Sequence, residues 1–268
     1  MPTIETLSGN LAYEVADTSP RWREPQETIL FHHGVGIDMD IWIDWLSFLS
    51  GDFQCVRFDM RGCGRSDVPP DDFQWSMDGM MQDALAVANV VEADRFHIIG
   101  ESIGGTISLY TALNAPERIL SVTALSTGHR GNYINHVGSW RETVEADGFD
   151  AWTERMMEHR FYPGAVDEDV YDWFAETQAN ASPSTTLALG ELLMGQDLSG
   201  DLDKLNCPVL LIHPDSSPFL PVTMSAEIHS LLPNSEMMVI PHAKHAIACS
   251  HATEGALAFM NFVSERVH

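Results

Sequence analysis

The stretch that most constrains this chain is Phe96-His97-Ile98-Ile99-Gly100-Glu101-Ser102-Ile103-Gly104-Gly105. A nearly continuous apolar run is what a strand buried on both faces requires, and such strands belong to parallel sheets covered by helices. The run stops at Gly100, and from Ile103 to Ala112 small and apolar residues recur at helical spacing. The chain therefore turns sharply from strand to helix with Ser102 at the bend. Gly100 and Gly104 remove the side chains that would collide across so tight a turn. A parallel sheet also needs crossovers, and these are right-handed almost without exception.

Other segments supply that rhythm. Ile4 to Leu7 and Leu11 to Val15 read as an opening hairpin around Ser8-Gly9-Asn10. Thr28 to His32 is a compact strand ending at Gly34, and Ile41, Trp42, Trp45 and Leu49 follow at helical spacing. Phe53 to Phe58 alternates into a strand closed by the turn Arg61-Gly62-Cys63-Gly64. Ser76 is placed to cap a helix through Met80, Leu85, Val87 and Val90. Ile119 to Leu125 is a further buried strand. From Gly128 to Asp197 the texture changes to helix formers with Trp140, Trp152, Trp173 and several methionines, and no strand pattern. The strand–helix alternation resumes with Cys207 to Ile212, Ala226 to Leu232, Met237 to Ile240 and a last helix to about Val263. The expectation is an α/β fold: a mostly parallel central sheet flanked by helices, formed by residues 1–127 and 198–268, with a helical cap insertion at 128–197.

Gly100-Glu101-Ser102-Ile103-Gly104 fits G-x-S-x-G in the one context that gives the pattern meaning, a strand before it and a helix after it. The bend projects the Ser102 hydroxyl above the sheet edge at a helix N-terminus, where amides favour developing negative charge. A serine hydroxyl is a weak nucleophile until a base takes its proton. His245, in Pro241-His242-Ala243-Lys244-His245-Ala246 after a late strand, is the expected base, with His242 the competitor. Asp215, just past the strand Cys207 to Ile212, is the expected acid that accepts the imidazole N–H. The oxyanion donors are expected to be the backbone amides of Ile103, which follows the nucleophile, and of Val35 in the His33-Gly34-Val35-Gly36 loop.

Composition narrows the partners. Fourteen Lys and Arg stand against 39 Asp and Glu, a net charge of −25, which repels phosphate backbones and anionic lipid. Nucleic acid and membrane are not expected as partners. Cys55, Cys63, Cys207 and Cys249 are scattered without C-x-x-C pairing, and no Cys/His cluster has metal-ligand spacing. No metal and no cofactor are expected. With no signal-like N-terminus and no apolar run of about 20 residues, a cytoplasmic protein is the expectation, and a homodimer is compatible with it.

These residues resemble the α/β-hydrolase family over nearly the whole chain. The resemblance rests on His33-Gly34, on Asp59-Met60-Arg61-Gly62-Cys63-Gly64-Arg65-Ser66, on Gly100 to Gly105 and on His245. Within the family the chain looks most like 3-oxoadipate enol-lactonases and their carboxylesterase and C–C hydrolase relatives. Asn114-Ala115-Pro116-Glu117-Arg118 and Asp197-Leu198-Ser199 before Cys207-Pro208-Val209 carry that likeness. The resemblance implies a serine hydrolase that cleaves an ester or lactone of a small, largely apolar molecule through an acyl-enzyme under a helical cap. Gly34, Arg130, Trp140 and Arg141 are the substrate-binding candidates, the arginines for a substrate carboxylate. Cleavage of carbon–carbon bonds in ring-cleavage products, or cofactor-free lyase or perhydrolase chemistry, is the alternative on the same scaffold. The chain departs from the family pattern at three places. Cys63 stands where histidine is common, two histidines share the late loop, and counting four residues back from Pro221, where relatives carry the acid, reaches Ser217 rather than Asp215.

Overall fold

The computed structural model describes residues 1–6, 9–20, 22, 26–70 and 72–267. Leu7 and Ser8 of the expected opening hairpin lie outside them, but its two strands pair as β1 (Thr3–Thr6) and β2 (Gly9–Ala16). The sheet continues with β3 (Thr28–His32), β4 (Gln54–Phe58), β5 (Phe96–Glu101), β6 (Ile119–Leu125), β7 (Val209–Pro214) and β8 (Ser235–Ile240). Its order is β1-β2-β4-β3-β5-β6-β7-β8. Among the described residues of the sheet, the two pairings of β2 are antiparallel and every pairing from β4 through β8 is parallel.

The continuous apolar runs are explained by burial on both faces. In β3, Leu30 joins one core cluster while Ile29 and Phe31 join the other. In β7, Val209 and Leu211 face the first cluster and Leu210 and Ile212 the second. Helices α2 (Met77–Val90), α3 (Ile103–Asn114) and α8 (Val222–Leu231) contribute to the first. Helices α1 (Ile43–Leu49), α9 (Ile247–Ser250) and α10 (Ala252–Arg266) contribute to the second, with Trp45 against α10. Ser76 caps α2 as expected, its hydroxyl accepting from Gly79 N–H at 3.1 Å.

Several boundaries shift for identifiable reasons. Phe53 is not in β4, because its N–H turns back to the Leu49 carbonyl at the end of α1. β7 starts at Val209 rather than Cys207, since Pro208 has no N–H to give the ladder. β8 begins two residues earlier than expected, at Ser235, and α10 runs on to Arg266.

Between β6 and β7 lie four longer helices, α4 (Trp140–Asp147), α5 (Phe149–Arg160), α6 (Glu168–Ala179) and α7 (Pro183–Met194). Aromatic rings join them: Trp140 packs edge-on to Trp152 at 5.3 Å, and Trp152 stacks on Phe149 at 4.9 Å. The end of α5 is tied to the late histidine loop, where His245 N–H and Ala246 N–H donate to the His159 and Arg160 carbonyls, both at 3.3 Å. Among the described residues no helix is long and apolar enough to cross a membrane.

Candidate active site

Ser102 follows the last residue of β5 and precedes the first of α3, with φ 59° and ψ −124°. A non-glycine residue held there stores roughly 1–3 kcal/mol of strain. The neighbours keep it in place: Ser102 N–H donates to the Leu125 carbonyl at 2.9 Å, and its own carbonyl accepts from the amides of Gly105 and Thr106. A Cβ on Gly100 would lie 2.3 Å from the Gly104 carbonyl oxygen, and one on Gly104 would lie 2.3 Å from the His32 carbonyl oxygen. Both glycines are therefore steric requirements of the bend. Gly34 serves the same space, since a Cβ there would press on Ser102 Cβ at 3.3 Å.

The imidazole arrives from the loop after β8. His245 Nε2 lies 3.1 Å from Ser102 Oγ, and the His245 carbonyl is held by the Ser126 hydroxyl at 2.7 Å. Of the two loop histidines, His245 is the one brought to Ser102. His242 instead has φ 54°, is exposed and stacks on Tyr162 at 4.4 Å.

The expected acid is not brought to this imidazole. Asp215 N–H continues the β7–β8 ladder by donating to the Ile240 carbonyl, and its exposed carboxylate accepts from His242 N–H at 2.9 Å and Ala243 N–H at 3.3 Å. Those amides, His242 first, hold its carboxyl below the ordinary range. Two residues further on, Ser217 Oγ sits 3.2 Å from His245 Nδ1 and also accepts from Leu220 N–H at 3.3 Å. Among the described residues no carboxylate comes within ion-pair distance of His245. The count back from Pro221 was thus the better guide to this position, and what it reaches is a hydroxyl.

The loop after β3 is pinned from two sides. Met60 N–H donates to His33 Nε2 at 2.9 Å, so Nδ1 carries the ring proton and donates to the Gly34 carbonyl at 2.8 Å. This fixes the Gly34–Val35 peptide, whose N–H points away from that carbonyl. The Val35 carbonyl in turn accepts from Arg160 Nη2 at 3.0 Å. The N–H groups of Val35 and Ile103 make no hydrogen bond among the described residues, which leaves both available to an anionic oxygen.

A narrow cavity joins Ser102 and His245 to Val35, Trp140, Arg160 and Phe219. Phe219 packs edge-on to the His245 ring at 4.7 Å. Burial pushes His245 well below its ordinary value, and the nearby Arg160, His213 and His159 add to that. Arg160 is itself pulled down to about 10 by burial, partly offset by Glu101. Glu101 is pushed up to about 7 by burial, and its Oε1 accepts from Ala248 N–H at 2.8 Å behind the histidine loop.

The substrate-binding candidates divide. Gly34 and Trp140 are at the site. Arg130 instead pairs with Glu227 and lies over the Tyr133 ring at 4.9 Å, while Arg141 is exposed and pairs with Glu191. Arg160 and Phe219 are site residues that no local motif marks, and Ser217 is reached only by the count back from Pro221. Arg160 carried no local signal, because a terminal helix arginine is ordinarily a solvated one. Among the described residues no three His, Cys, Asp or Glu side chains converge as a metal site.

Comparisons with known proteins agree with this architecture. A protein named "Putative carbamate hydrolase RutD" from Shigella flexneri is 25% identical over 245 residues, 85% of this chain and 88% of that one. The protein of the same name from Agrobacterium fabrum is 26% identical over 232 residues, 82% of this chain and 86% of its own. The crystal structure of the enol-lactonase from Burkholderia xenovorans superposes with a TM-score of 0.88 at 18% identity, covering 98% of this chain and 100% of that one. A thermophilic esterase from Thermogutta terrifontis gives 0.86 at 19% identity with both chains fully covered. Residues 27–164 match the family model of the alpha/beta hydrolase fold, and the chain belongs to that family.

Proposed function

We propose that this chain is a serine hydrolase that cleaves an ester or lactone of a small, largely apolar organic molecule through an acyl-enzyme. The observation that carries the reading is the strained Ser102, with its Oγ 3.1 Å from His245 Nε2 in a shared cavity. The likeness to an enol-lactonase and an esterase at full length supports the scaffold, and hydrolase activity in the family supports the reaction class.

In the acylation step Ser102 Oγ attacks the carbonyl carbon as its proton passes to His245 Nε2. The new oxyanion is received by the amides of Val35 and Ile103. The carbon–oxygen bond to the leaving alkoxide then breaks, and His245 returns the proton to that alkoxide. Water repeats the sequence on the acyl-enzyme, giving its proton to His245 and restoring the Ser102 hydroxyl, so that ester and water become acid and alcohol. General-base assistance typically contributes 10²–10⁴-fold and one oxyanion donor about 10²–10³-fold, so a competent enzyme uses both. Residues 128–197 act as the cap, supplying Trp140 and Arg160 to the cavity wall.

A fluorophosphonate probe followed by peptide mass spectrometry tests the reading. Ser102 is expected to be the labelled residue, and Ser102→Ala is expected to abolish both labelling and hydrolysis of short p-nitrophenyl esters. Hydrolysis that survives in the alanine variant would reject the mechanism.

A further inference from the structure

The acyl-transfer reading leaves an electrostatic problem. His245 must become a cation in each half-reaction, yet it is buried, has Ser217 at Nδ1 where a carboxylate would offset the charge, and lies near the Arg160 guanidinium. A hydroxyl orients the ring without neutralising it. Arg160 is 5% exposed and lines the same cavity. Its Nε donates to Gln178 Oε1 at 3.3 Å and its Nη2 to the Val35 carbonyl, while Nη1 makes no hydrogen bond and no carboxylate pairs with the side chain among the described residues. Glu101, the acid nearest in influence, is committed to backbone amides behind the histidine loop. Trp140, in the cavity wall, has its Nε1–H buried without a partner. The site therefore offers one charged donor beside apolar side chains such as Leu193 and Phe219.

We propose that the substrate carries a carboxylate, and that Arg160 binds it within the cavity, so that the substrate brings the negative charge that residue 217 does not provide. This rests on the acyl-transfer reading and narrows it to anionic esters or lactones. Bound next to Arg160, the carboxylate cancels the cation that opposes protonation of His245. Arg160 acts as a specificity residue through its charge, and separately as a positioning residue through the Val35 carbonyl.

The test compares, in the wild-type enzyme, p-nitrophenyl hydrogen glutarate and adipate with their neutral methyl-capped counterparts, each corrected for spontaneous hydrolysis. The anionic esters are expected to exceed the neutral ones by about 10- to 100-fold in kcat/KM, the range of a charge-assisted hydrogen bond to a buried group. Arg160→Gln retains a donor for the Val35 carbonyl and is expected to erase that ratio, whereas Arg160→Lys retains part of it. A lost positioning role alone would lower both substrates equally and leave the ratio intact. Equal rates on anionic and neutral esters in wild-type enzyme whose Ser102 takes the fluorophosphonate label would overturn this inference while leaving the hydrolase reading in place. Failure of Ser102 to label would remove both.

Discussion

Replacing Ser217 with aspartate should make this enzyme faster on neutral esters. An ionised carboxylate at the Ser217 Oγ position would stand about 3.2 Å from His245 Nδ1. At an effective dielectric of about 20 it would attract the imidazolium by roughly 5 kcal/mol. The position is half-buried, and Leu220 N–H already points at it, so the new carboxylate keeps one amide donor and some water. Its desolvation, several kcal/mol for a fully buried ion, takes back part of the gain. A net of about 1.5–3 kcal/mol remains, which corresponds to a rise of roughly 10- to 100-fold in kcat/KM. Tautomer control acts in the same direction. A serine can donate to Nδ1 or accept from it, so it tolerates the ring form with Nε2 protonated toward Ser102, while an ionised carboxylate only accepts. The assay is kcat/KM on neutral p-nitrophenyl esters across pH, with Ser217→Ala as the control that should lose about 2- to 10-fold. Ser217→Asp should also narrow the advantage of anionic esters. An aspartate variant with native circular dichroism, unchanged rate and an unmoved pH profile would refute this account of residue 217.

Asp215→Asn should leave kcat/KM within about twofold, because its carboxylate serves the His242–Ala243 turn, and a loss above about 100-fold would return Asp215 to the chemistry. The acidic limb of the wild-type pH profile should fall below pH 6.5. Protonation disables His245, so activity is lost only as pH drops through its depressed value, and Arg160→Gln should move the limb upward. Glu101, raised to about 7, keeps a proton in the folded state that the unfolded chain has released above about 4.5. Its contribution to stability is therefore present below that range and is lost as pH rises to 7, by about 3 kcal/mol. Thermal denaturation from pH 5 to 8 should show a flatter dependence in Glu101→Gln. Gly104→Ala should cost about 3 kcal/mol or prevent folding, since the new methyl would meet the His32 and His33 carbonyl oxygens at 2.3 and 2.5 Å, and chemical denaturation would measure it.

Much of the architecture was legible because its signals are local. The apolar run before Ser102 reported a strand buried on both faces, and the glycines around it reported a bend that tolerates no side chain. Boundaries erred where a residue's role depends on a partner elsewhere. Phe53 looks like strand, but it packs its ring 5.5 Å from Phe259 across the core. Arg130 and Arg141 are the arginines expected at the substrate, and only the fold sets them apart from Arg160. The first two meet Glu227 and Glu191 on the surface, and the third is turned inward.

Read alone, the chain determined the parallel sheet, the serine at its bend and a histidine in the last loop, since each is written in contiguous residues whose sterics and periodicity act within one turn or strand. What stands behind that histidine was decided by tertiary structure. Asp215 and Ser217 are two residues apart in one loop, and the β7–β8 ladder turns the first toward backbone amides and the second toward Nδ1. Likewise the packing of α5 against the Val35 and His245 loops carries a cation into the cavity. Hydrogen-bond direction and burial are properties of the assembled chain, and no spacing along the sequence encodes them.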